Sequence, residues 1–259
     1  MNDDVIKSRN NRYFKYFKSL LNKKNRQREH LFFAEGAKVV EESLEHEKPQ
    51  YVAISESYAD KENILRQNFK TFIFSENLFV NLCDTENPQG IIAYYRFLHR
   101  NSLSDIRRGI YLFLDDLQDP GNVGSLIRSA LAFEIDGIIA SKDTVEIYNP
   151  KLIRSTMASI FKIPIYVVDK SELNLLKNKG FEILTTDLDG GEVLYNQKFA
   201  DNAIIALGNE AKGISQELKD LSDKSIYIPM AQNIDSLNVT VAGSILLYEL
   251  NRHKYDSSR

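Results

Sequence analysis

The chain has few of the residues that crosslink small folds or bind metals. Its 259 residues include one cysteine, Cys83, and four histidines, which are far apart in the sequence: His30, His46, His99 and His253. One cysteine cannot form an internal disulfide, and scattered histidines do not indicate a Cys/His metal cluster. We therefore expect no disulfide framework and no metal site, which fits a protein of the reducing cytoplasm.

Long apolar runs and a strong net charge are also missing. No run approaches the roughly 20 apolar residues of a membrane span, and the first ten residues, MNDDVIKSRN, lack the apolar segment of a signal peptide. We expect no membrane partner. The net charge of −3 excludes a chain that binds polyanions over its whole surface, so any nucleic-acid site must be a local patch.

One such patch precedes residue 31, where nine lysines and arginines accompany three acidic residues. Apolar residues recur there at helical spacing and predict an amphipathic helix with a basic face: Tyr13, Phe14, Phe17, Leu20 and Leu21. A solvated charged face and an RNA contact both explain this pattern, because phosphates are bound mainly by lysine and arginine.

The apolar pattern divides the chain into two α/β regions. Residues 1–99 predict a small α/β/α domain, and the polar run HRNSLSDIRR (residues 99–108) shows no buried pattern, so we place a linker at residues 100–108. Strand and helix patterns alternate over residues 109–259. This alternation predicts a mostly parallel sheet that is covered on both faces.

The final helix is almost wholly apolar from Val239 to Leu250, so protein from this subunit or another must cover both of its sides. The preceding loop, residues 231–236, lies where backbone N–H groups and a helix N-terminus can meet a ligand. The alternative is an ordinary core helix with Asp235 or Ser236 as its N-cap.

Two further polar loops follow predicted strands, at the sheet edge where parallel α/β folds bind ligands. In the loop that begins at Asp115, Asn122 and Arg128 lie six residues apart and are able to face one ligand, unless they are a capping asparagine and a surface arginine. Its glycines match neither a dinucleotide fingerprint nor a Walker A sequence. In the next loop, Glu210 stands between Gly208 and Gly213, either as a site carboxylate or within a simple turn.

Together the three loops resemble, in order and spacing, the three motifs of the SpoU/TrmH family of S-adenosylmethionine-dependent RNA 2′-O-methyltransferases. The matching segments are NVGSLIRSA, Gly208-Asn209-Glu210 with Gly213, and Pro229 with Ser236-Leu237-Asn238-Val239. YNPKLIRSTMASIFKIPI, FAEGAKVVEE and DTENPQGIIA are similar to further stretches of the family, so the resemblance covers nearly the whole chain. The chain departs from the family at Glu134 and Ala158, where glycine is usual, and at Thr156, where serine is usual.

The resemblance implies a trefoil-knotted methyltransferase domain of the SPOUT superfamily at residues 109–259, preceded by a ribosomal protein L30e-like domain, and a homodimer. It implies that S-adenosylmethionine is held by Leu207, Gly208, Asn209, Gly213, Ile228, Met230 and Leu237. The implied catalytic residues are Arg128, Asn122, Glu210, Ser236 and Asn238. Because arginine is effectively always charged, we expect Arg128 to stabilise a developing alkoxide and to grip a phosphate rather than to remove a proton.

The implied substrate is structured RNA, most specifically large-subunit ribosomal RNA, since the N-terminal region resembles that of rRNA-modifying members. The candidate RNA contacts are Lys23, Lys24, Arg26 and Arg28. Two alternatives remain open: a non-catalytic RNA-binding or ribosome-assembly protein that retains the fold, and a generic nucleotide-binding α/β enzyme. The intact motif residues weigh against the former, and the missing phosphate loop weighs against the latter.

Overall fold

The computed structural model describes residues 5–58, 63–64, 67, 69–187, 191–231 and 236–257. The chain divides into two compact units. The first contains Met1–Phe97 and Tyr148–Phe161, and the second contains Leu98–Ile147 and Lys162–Arg259. The segment Tyr148–Phe161 thus belongs to the first unit although strands of the second unit precede and follow it in the chain.

The first unit is built around a four-stranded sheet of β1 (Leu31–Glu35), β2 (Tyr51–Ser55), β3 (Thr71–Phe74) and β4 (Ile91–Arg96). The strand order is β1-β4-β2-β3; β4 is antiparallel to β1 and β2, and β2 is parallel to β3. The helices before β4 are α1 (Arg12–Ser19), α2 (Lys23–Glu29), α3 (Ala37–Leu44) and α4 (Glu76–Phe79). The sequence pattern also predicts a helix near residues 61–67, and most of that range lies outside the described residues.

Helix α1 has the predicted amphipathic form. The side chain of Asn11 accepts hydrogen bonds from the N–H groups of Tyr13 and Phe14 and so caps its first turn. Phe14 and Phe17 point into the core, where the ring of Phe17 stacks on Tyr94 of β4 at 4.5 Å between centroids. The apolar stripe is therefore buried, and the basic residues between are left on the surface.

The second unit contains a seven-stranded sheet. Its elements begin with β5 (Gly109–Leu114), α5 (Pro120–Ala132) and β6 (Gly137–Ser141); α6 (Pro150–Thr156) then lies in the first unit. The chain continues through β7 (Ile165–Val168), α7 (Leu173–Lys177), β8 (Glu182–Thr186), β9 (Glu192–Val193), β10 (Asn202–Leu207), α8 (Gln216–Leu221), β11 (Lys224–Tyr227) and α9 (Val239–Ser257). The short strand β9 was not predicted from the sequence.

The strand order β7-β6-β5-β10-β8-β11-β9, with every pair parallel, confirms the predicted parallel α/β sheet. β10 lies between β5 and β8, and β11 lies between β8 and β9, so both strands are inserted between strands that precede them in the chain. In parallel strands the carboxyl ends meet at one edge. The loops after β5, β10 and β11 therefore emerge together.

The polar run at residues 99–108, whose sequence shows no buried pattern, is partly buried in the structure. Leu103 and Ile106 are buried at 0% and 2% exposure within the core of the second unit. The ammonium group of Lys179 donates to the carbonyl oxygens of Leu103, Ser104 and Ile106. The expectation of no burial here was wrong, because two apolar residues in a charged run are enough to anchor it once tertiary contacts form.

Two departures from the family pattern occur where the backbone is left-handed. Glu134 follows α5 with φ 54°, and the N–H of Ile135 bonds the carbonyl of Ala130 across it. Ala158 has φ 66° and follows Met157 at φ 47°, so α6 ends at Thr156, although the sequence pattern predicts a helix that continues to Phe161. Glycine adopts this conformation without a steric penalty, which gives a physical reason for the family's preference.

Within the part of the chain that the structure describes, no helix is long and apolar enough to cross a membrane. The same residues contain no group of three or more His, Cys, Asp or Glu side chains placed to hold a metal ion.

Candidate active site

A cavity of about 680 Å³ opens at the carboxyl edge of the second unit's sheet, between the ends of β10 and β11 and the start of α9. All seven residues expected to contact a cofactor line it: Leu207, Gly208, Asn209, Gly213, Ile228, Met230 and Leu237. Three of the expected catalytic residues, Glu210, Ser236 and Asn238, line it as well. Asn122 and Arg128 do not belong to the lining.

The loop after β10 is a tight backbone structure. Asn209 and Gly213 exchange two backbone hydrogen bonds of 3.0 and 2.9 Å, and the Asn209 side chain accepts from the N–H groups of Ala211 and Lys212. A Cβ atom at Gly208 would lie 2.3 Å from the carbonyl carbon of Gly213. Only glycine fits at residue 208, and the backbone of this loop is left close to the cavity.

A cluster of three charged side chains, Lys170, Asp115 and Asp116, supports this loop. Lys170 Nζ lies 2.7 Å from Asp115 Oδ1 and 2.6 Å from Asp116 Oδ2. Asp115 is only 1% exposed and also accepts from the N–H of Ser215 at 2.6 Å, while the carbonyl of Asp116 accepts from Asn209 Nδ2 at 2.7 Å. The cluster thus connects the loop after β5 with the loop after β10.

The pKa values of Lys170 and Asp116 are both shifted in the direction that favours the charged form. Partial burial opposes the charge on Lys170, but its hydrogen bonds and its attraction to the two aspartates outweigh burial and raise its pKa. Burial also opposes ionisation of Asp116, yet hydrogen bonds from Lys170 and Ser141 leave its pKa lowered. Asp115 begins one of the polar loops noted in the sequence, whereas nothing in the sequence singled out Lys170.

Glu210 is held by three donors from the loop after β5 and from α5. Its Oε1 accepts from Asn122 Nδ2 at 3.1 Å and from the N–H of Asp119 at 3.2 Å, and its Oε2 accepts from the N–H of Gln118 at 3.1 Å. Partial burial opposes ionisation, but these hydrogen bonds, led by that of Asn122, lower the pKa of Glu210. Asp119 caps α5, so the interpretation of Asn122 as the capping residue was wrong.

Asn122 also contacts the beginning of α9. Its Oδ1 accepts from Thr240 Oγ1 at 3.1 Å and from Asn238 Nδ2 at 3.4 Å. Asn238 Oδ1 accepts from the N–H of Thr240 at 2.9 Å, which makes Asn238 the residue that caps α9. The caps considered from the sequence were Ser236, which instead lines the cavity, and Asp235, which lies outside the described residues. Nothing in the sequence singled out Thr240.

Arg128 lies on the exposed face of α5. Within the described residues it makes no hydrogen bond or ion pair. Arg128 lies six positions after Asn122 on α5, and six steps of 100° per residue leave the two side chains about 240° apart around the helix axis. The two side chains therefore leave α5 in different directions. The expectation that both face one ligand does not hold within a single chain.

Helix α9 packs closely against α5 and β10, since a Cβ atom at Gly243 would lie 2.4 Å from Leu126 Cδ2 and 2.7 Å from Leu207 Cδ1. Its opposite face stays exposed among the residues that the structure describes. Val241, Ile245 and Tyr248 are 48%, 38% and 57% exposed. Within the described residues this chain therefore buries one side of the helix, and cover of the other side by a second subunit stays a prediction.

The four residues predicted to contact RNA, all in α2, differ in surroundings. Lys23 and Lys24 are exposed, and exposed Arg28 pairs with Glu29 at 2.9 Å. Arg26 is 3% exposed, and its guanidinium donates to the carbonyls of Leu20 and Leu21 at 2.9 and 2.8 Å. Arg26 is thus a structural residue, because its guanidinium provides hydrogen bonds to the backbone carbonyl groups that follow α1. Its prediction as an RNA contact was wrong.

Two family models match this chain. The model of the SpoU rRNA Methylase family matches residues 109–248, and that of the MRM3-like substrate binding domain matches residues 11–93. The Bacillus subtilis protein 23S rRNA (guanosine(2553)-2'-O)-methyltransferase RlmP is 30% identical over 246 residues, covering 95% of this chain and 98% of the relative. A Streptomyces viridochromogenes 23S rRNA (uridine(2479)-2'-O)-methyltransferase is 27% identical, with 96% and 92% of the two chains covered.

Among solved structures, the AdoMet-bound rRNA methyltransferase of Sinorhizobium meliloti superposes with a TM-score of 0.87 at 27% identity, covering 96% of this chain and 98% of that one. The SpoU methyltransferase AviRb of Streptomyces viridochromogenes, in complex with AdoMet, has a TM-score of 0.85 at 25% identity, with 95% and 98% covered.

Proposed function

This chain belongs to the SpoU rRNA methylase family, and from that premise we propose that it is an S-adenosylmethionine-dependent methyltransferase. Its substrate is a ribose 2′-hydroxyl of large-subunit ribosomal RNA, and its place of action is the cytoplasm. The observation that carries the proposal is the convergence of ten expected site residues on one cavity. The activities printed for the Bacillus and Streptomyces relatives support the choice of RNA.

The cavity suits the cofactor in size and character. About 680 Å³ lies within the usual range of small-molecule sites, roughly 300 to 1,000 Å³. Apolar side chains such as Leu207, Ile226 and Leu246 provide a wall for a flat ring, and the glycine-containing loop after β10 presents backbone polar groups. When bound, the cofactor supplies a methyl group on a positively charged sulfur, ready for transfer to an oxygen nucleophile.

The polar residues at the mouth of the cavity position the reactants. Glu210 stays ionised because its pKa is lowered, and it holds the amide of Asn122 in one orientation. Asn122 in turn fixes the start of α9 through Thr240 and Asn238. We assign Asn122, Glu210, Ser236 and Asn238 to the orientation of the ribose or the cofactor, a role that can lower a barrier by several kcal/mol.

Arg128 has the chemistry to stabilise the developing alkoxide and to hold an adjacent phosphate, since a guanidinium forms strong charge-assisted hydrogen bonds. Because it lies outside the cavity of its own chain, we propose that it acts across a homodimer interface. The exposed apolar residues Val241, Ile245 and Tyr248 recur at i, i+4 and i+7 on α9, which packs on the helix that carries Arg128. In analytical ultracentrifugation we expect the parent protein to sediment as a dimer and an Ile245→Glu variant to sediment as a monomer.

We further propose that the C-terminal segment forms the trefoil knot of the family. The insertion of β10 and β11 between earlier strands supports this assignment.

The proposed function is tested by mapping ribose methylation in cellular RNA with and without the gene. We expect one large-subunit site to lose its methyl group. In vitro, Arg128→Ala should keep cofactor affinity in calorimetry and lose about 100-fold or more in methyl transfer, the scale for loss of a charge-stabilising group. Arg108→Ala, a change at another exposed arginine, is the control.

Two results would count against this assignment. Unchanged turnover in Arg128→Ala removes that residue from catalysis. A wild-type protein that binds RNA but not the cofactor supports the non-catalytic RNA-binding alternative instead.

A further inference from the structure

The N-terminal segment of the first unit that the structure describes is rich in positive charge. Residues 5–19 contain five cations and no acidic residue, and all five are exposed: Lys7, Arg9, Arg12, Lys15 and Lys18. Among the described residues none of them forms an ion pair. Lysines of the second unit behave differently, because Lys142, Lys177, Lys219 and Lys224 each lie within 3 Å of a carboxylate oxygen.

Half-exposed aromatic rings accompany these cations. The guanidinium of Arg12 lies 4.6 Å from the ring centroid of Tyr13, whose centroid is 4.2 Å from that of Phe72. Lys70 Nζ lies 5.8 Å from the Tyr13 ring and 5.1 Å from the Tyr51 ring. Arg12 and Lys70 are exposed, so their outer sides are open to a ligand.

This arrangement has the two components of a surface for single-stranded nucleic acid. Like charges that share a small surface repel each other unless a polyanion neutralises them. Proteins recognise unpaired RNA by stacking its bases on aromatic rings or arginine planes and by binding its phosphates with cations. Arg12, held against Tyr13, offers such a plane. Lys15 and Lys18 continue from it along the same stripe of α1 at spacings of three residues.

We propose that the α1 face, defined as Arg12, Tyr13, Lys15, Lys18 and Lys70, binds a single-stranded segment of the RNA substrate. An unstacked base lies on the Arg12 guanidinium, and backbone phosphates contact Lys15, Lys18 and Lys70. The identity of the RNA rests on the proposed function. In α2, Arg26 is buried and Arg28 is paired with Glu29, whereas exposed Lys23 and Lys24 stay predicted RNA contacts beside the α1 face.

The phosphate contacts are tested with a variant in which Lys15, Lys18 and Lys70 are all changed to Ala. The control is a variant with three exposed cations from elsewhere changed to Ala: Lys48, Arg108 and Lys198. The probe is large-subunit rRNA from cells that lack the gene. Each lost phosphate contact lowers the slope of log K against log salt by about 0.7, so we expect the slope to fall by about 2 in the α1-face variant.

We expect KM for RNA to rise at least ten-fold in the α1-face variant, with kcat at saturating RNA within about two-fold, and neither value to change in the control. A salt slope that is the same in the two variants overturns the proposal.

Base stacking is tested by Arg12→Lys, which keeps the positive charge and removes the planar guanidinium group on which a base would stack. We expect the Kd for a single-stranded oligonucleotide to rise about five-fold or more with an unchanged salt slope. An unchanged Kd, or equal affinity of the parent protein for a duplex of the same sequence, overturns the stacking assignment.

Calorimetric measurement of cofactor binding by each protein separates failure of the proposed function from failure of the α1-face proposal. If the parent protein binds no S-adenosylmethionine, the proposed function fails. If every variant binds the cofactor but the α1-face variant binds RNA like the parent, only the α1 face fails.

Discussion

Lys170 in the second unit and Lys15 in the first carry the same charge in opposite surroundings. Lys170 is nearly buried between Asp115 and Asp116. The Asp115 carboxylate also accepts from the N–H of Ser215, and the backbone carbonyl of Asp116 accepts from Asn209 Nδ2, so both residues hold loops around the cavity. Lys15 is exposed on a helix that has no acidic residue. The difference separates two uses of charge in one chain: paired charges at the cavity fix its shape in advance, whereas unpaired charges on the α1 face remain available to a ligand.

The largest effect is expected when the paired cation is removed. Lys170→Met leaves Asp115 buried without a counter-ion, and breaking a buried pair in this way costs about 3 to 5 kcal/mol. Urea unfolding should show this loss, and calorimetry should show weaker cofactor binding. Lys170→Arg, which retains the charge, is the control. A loss below about 1 kcal/mol for Lys170→Met would mean that the cluster does not support the loops.

A second change acts on the loop that the cluster supports. In Gly208→Ala the new Cβ would lie 2.3 Å from backbone of Gly213, so the loop must open. We expect cofactor affinity to fall about 100-fold, equivalent to about 2.7 kcal/mol. Gly213→Ala is the matched comparison, because a Cβ there meets no atom within 4 Å and only its φ of 68° is unfavourable, at a cost of about 1 to 2 kcal/mol. Equal effects of the two changes would refute the steric argument.

A smaller effect concerns pH. Because the folded-state pKa of Glu210 is lowered from its ordinary 4.5, this carboxylate contributes stability that is fully present above about pH 4.5. That contribution is lost as the pH falls through the lowered value. Glu210→Gln should therefore reduce the free energy of unfolding near neutral pH and flatten its decline in acid. Parallel curves for the two proteins between pH 3 and 7 would contradict the assignment.

The smallest effect on stability is expected on the α1 face. Changing Lys15 and Lys18 to Gln removes two exposed charges that form no ion pair among the described residues, and the ring of Phe14 lies 5.8 Å from Lys18 Nζ. The free energy of unfolding should therefore change by no more than about 0.5 kcal/mol. Denaturant titration of the double variant checks this. A destabilisation above about 1 kcal/mol would erase the contrast with Lys170, since these lysines would then be structural.

Several site residues could be predicted because each follows an apolar strand in a polar loop. Gly208, Glu210 and Asn238 belong to this group, and parallel strands necessarily bring such loops to one edge. Lys170 and Thr240 were missed, because a lysine or threonine near a helix start has the same sequence context whether it is solvated or paired. Arg26 was predicted to contact RNA for the same reason, since its sequence neighbours do not reveal that two backbone carbonyl groups accept hydrogen bonds from its guanidinium.

The sequence by itself determined the parallel α/β class, the amphipathic α1, the three polar loops and the family, because periodicity and residue spacing are local properties of the chain. Only the tertiary structure decided which charges are paired, that Asn122 joins Glu210 to the start of α9, and that Arg128 lies outside its own cavity. Those outcomes depend on residues separated by tens of positions that meet only after packing, where burial makes each unpaired polar group costly.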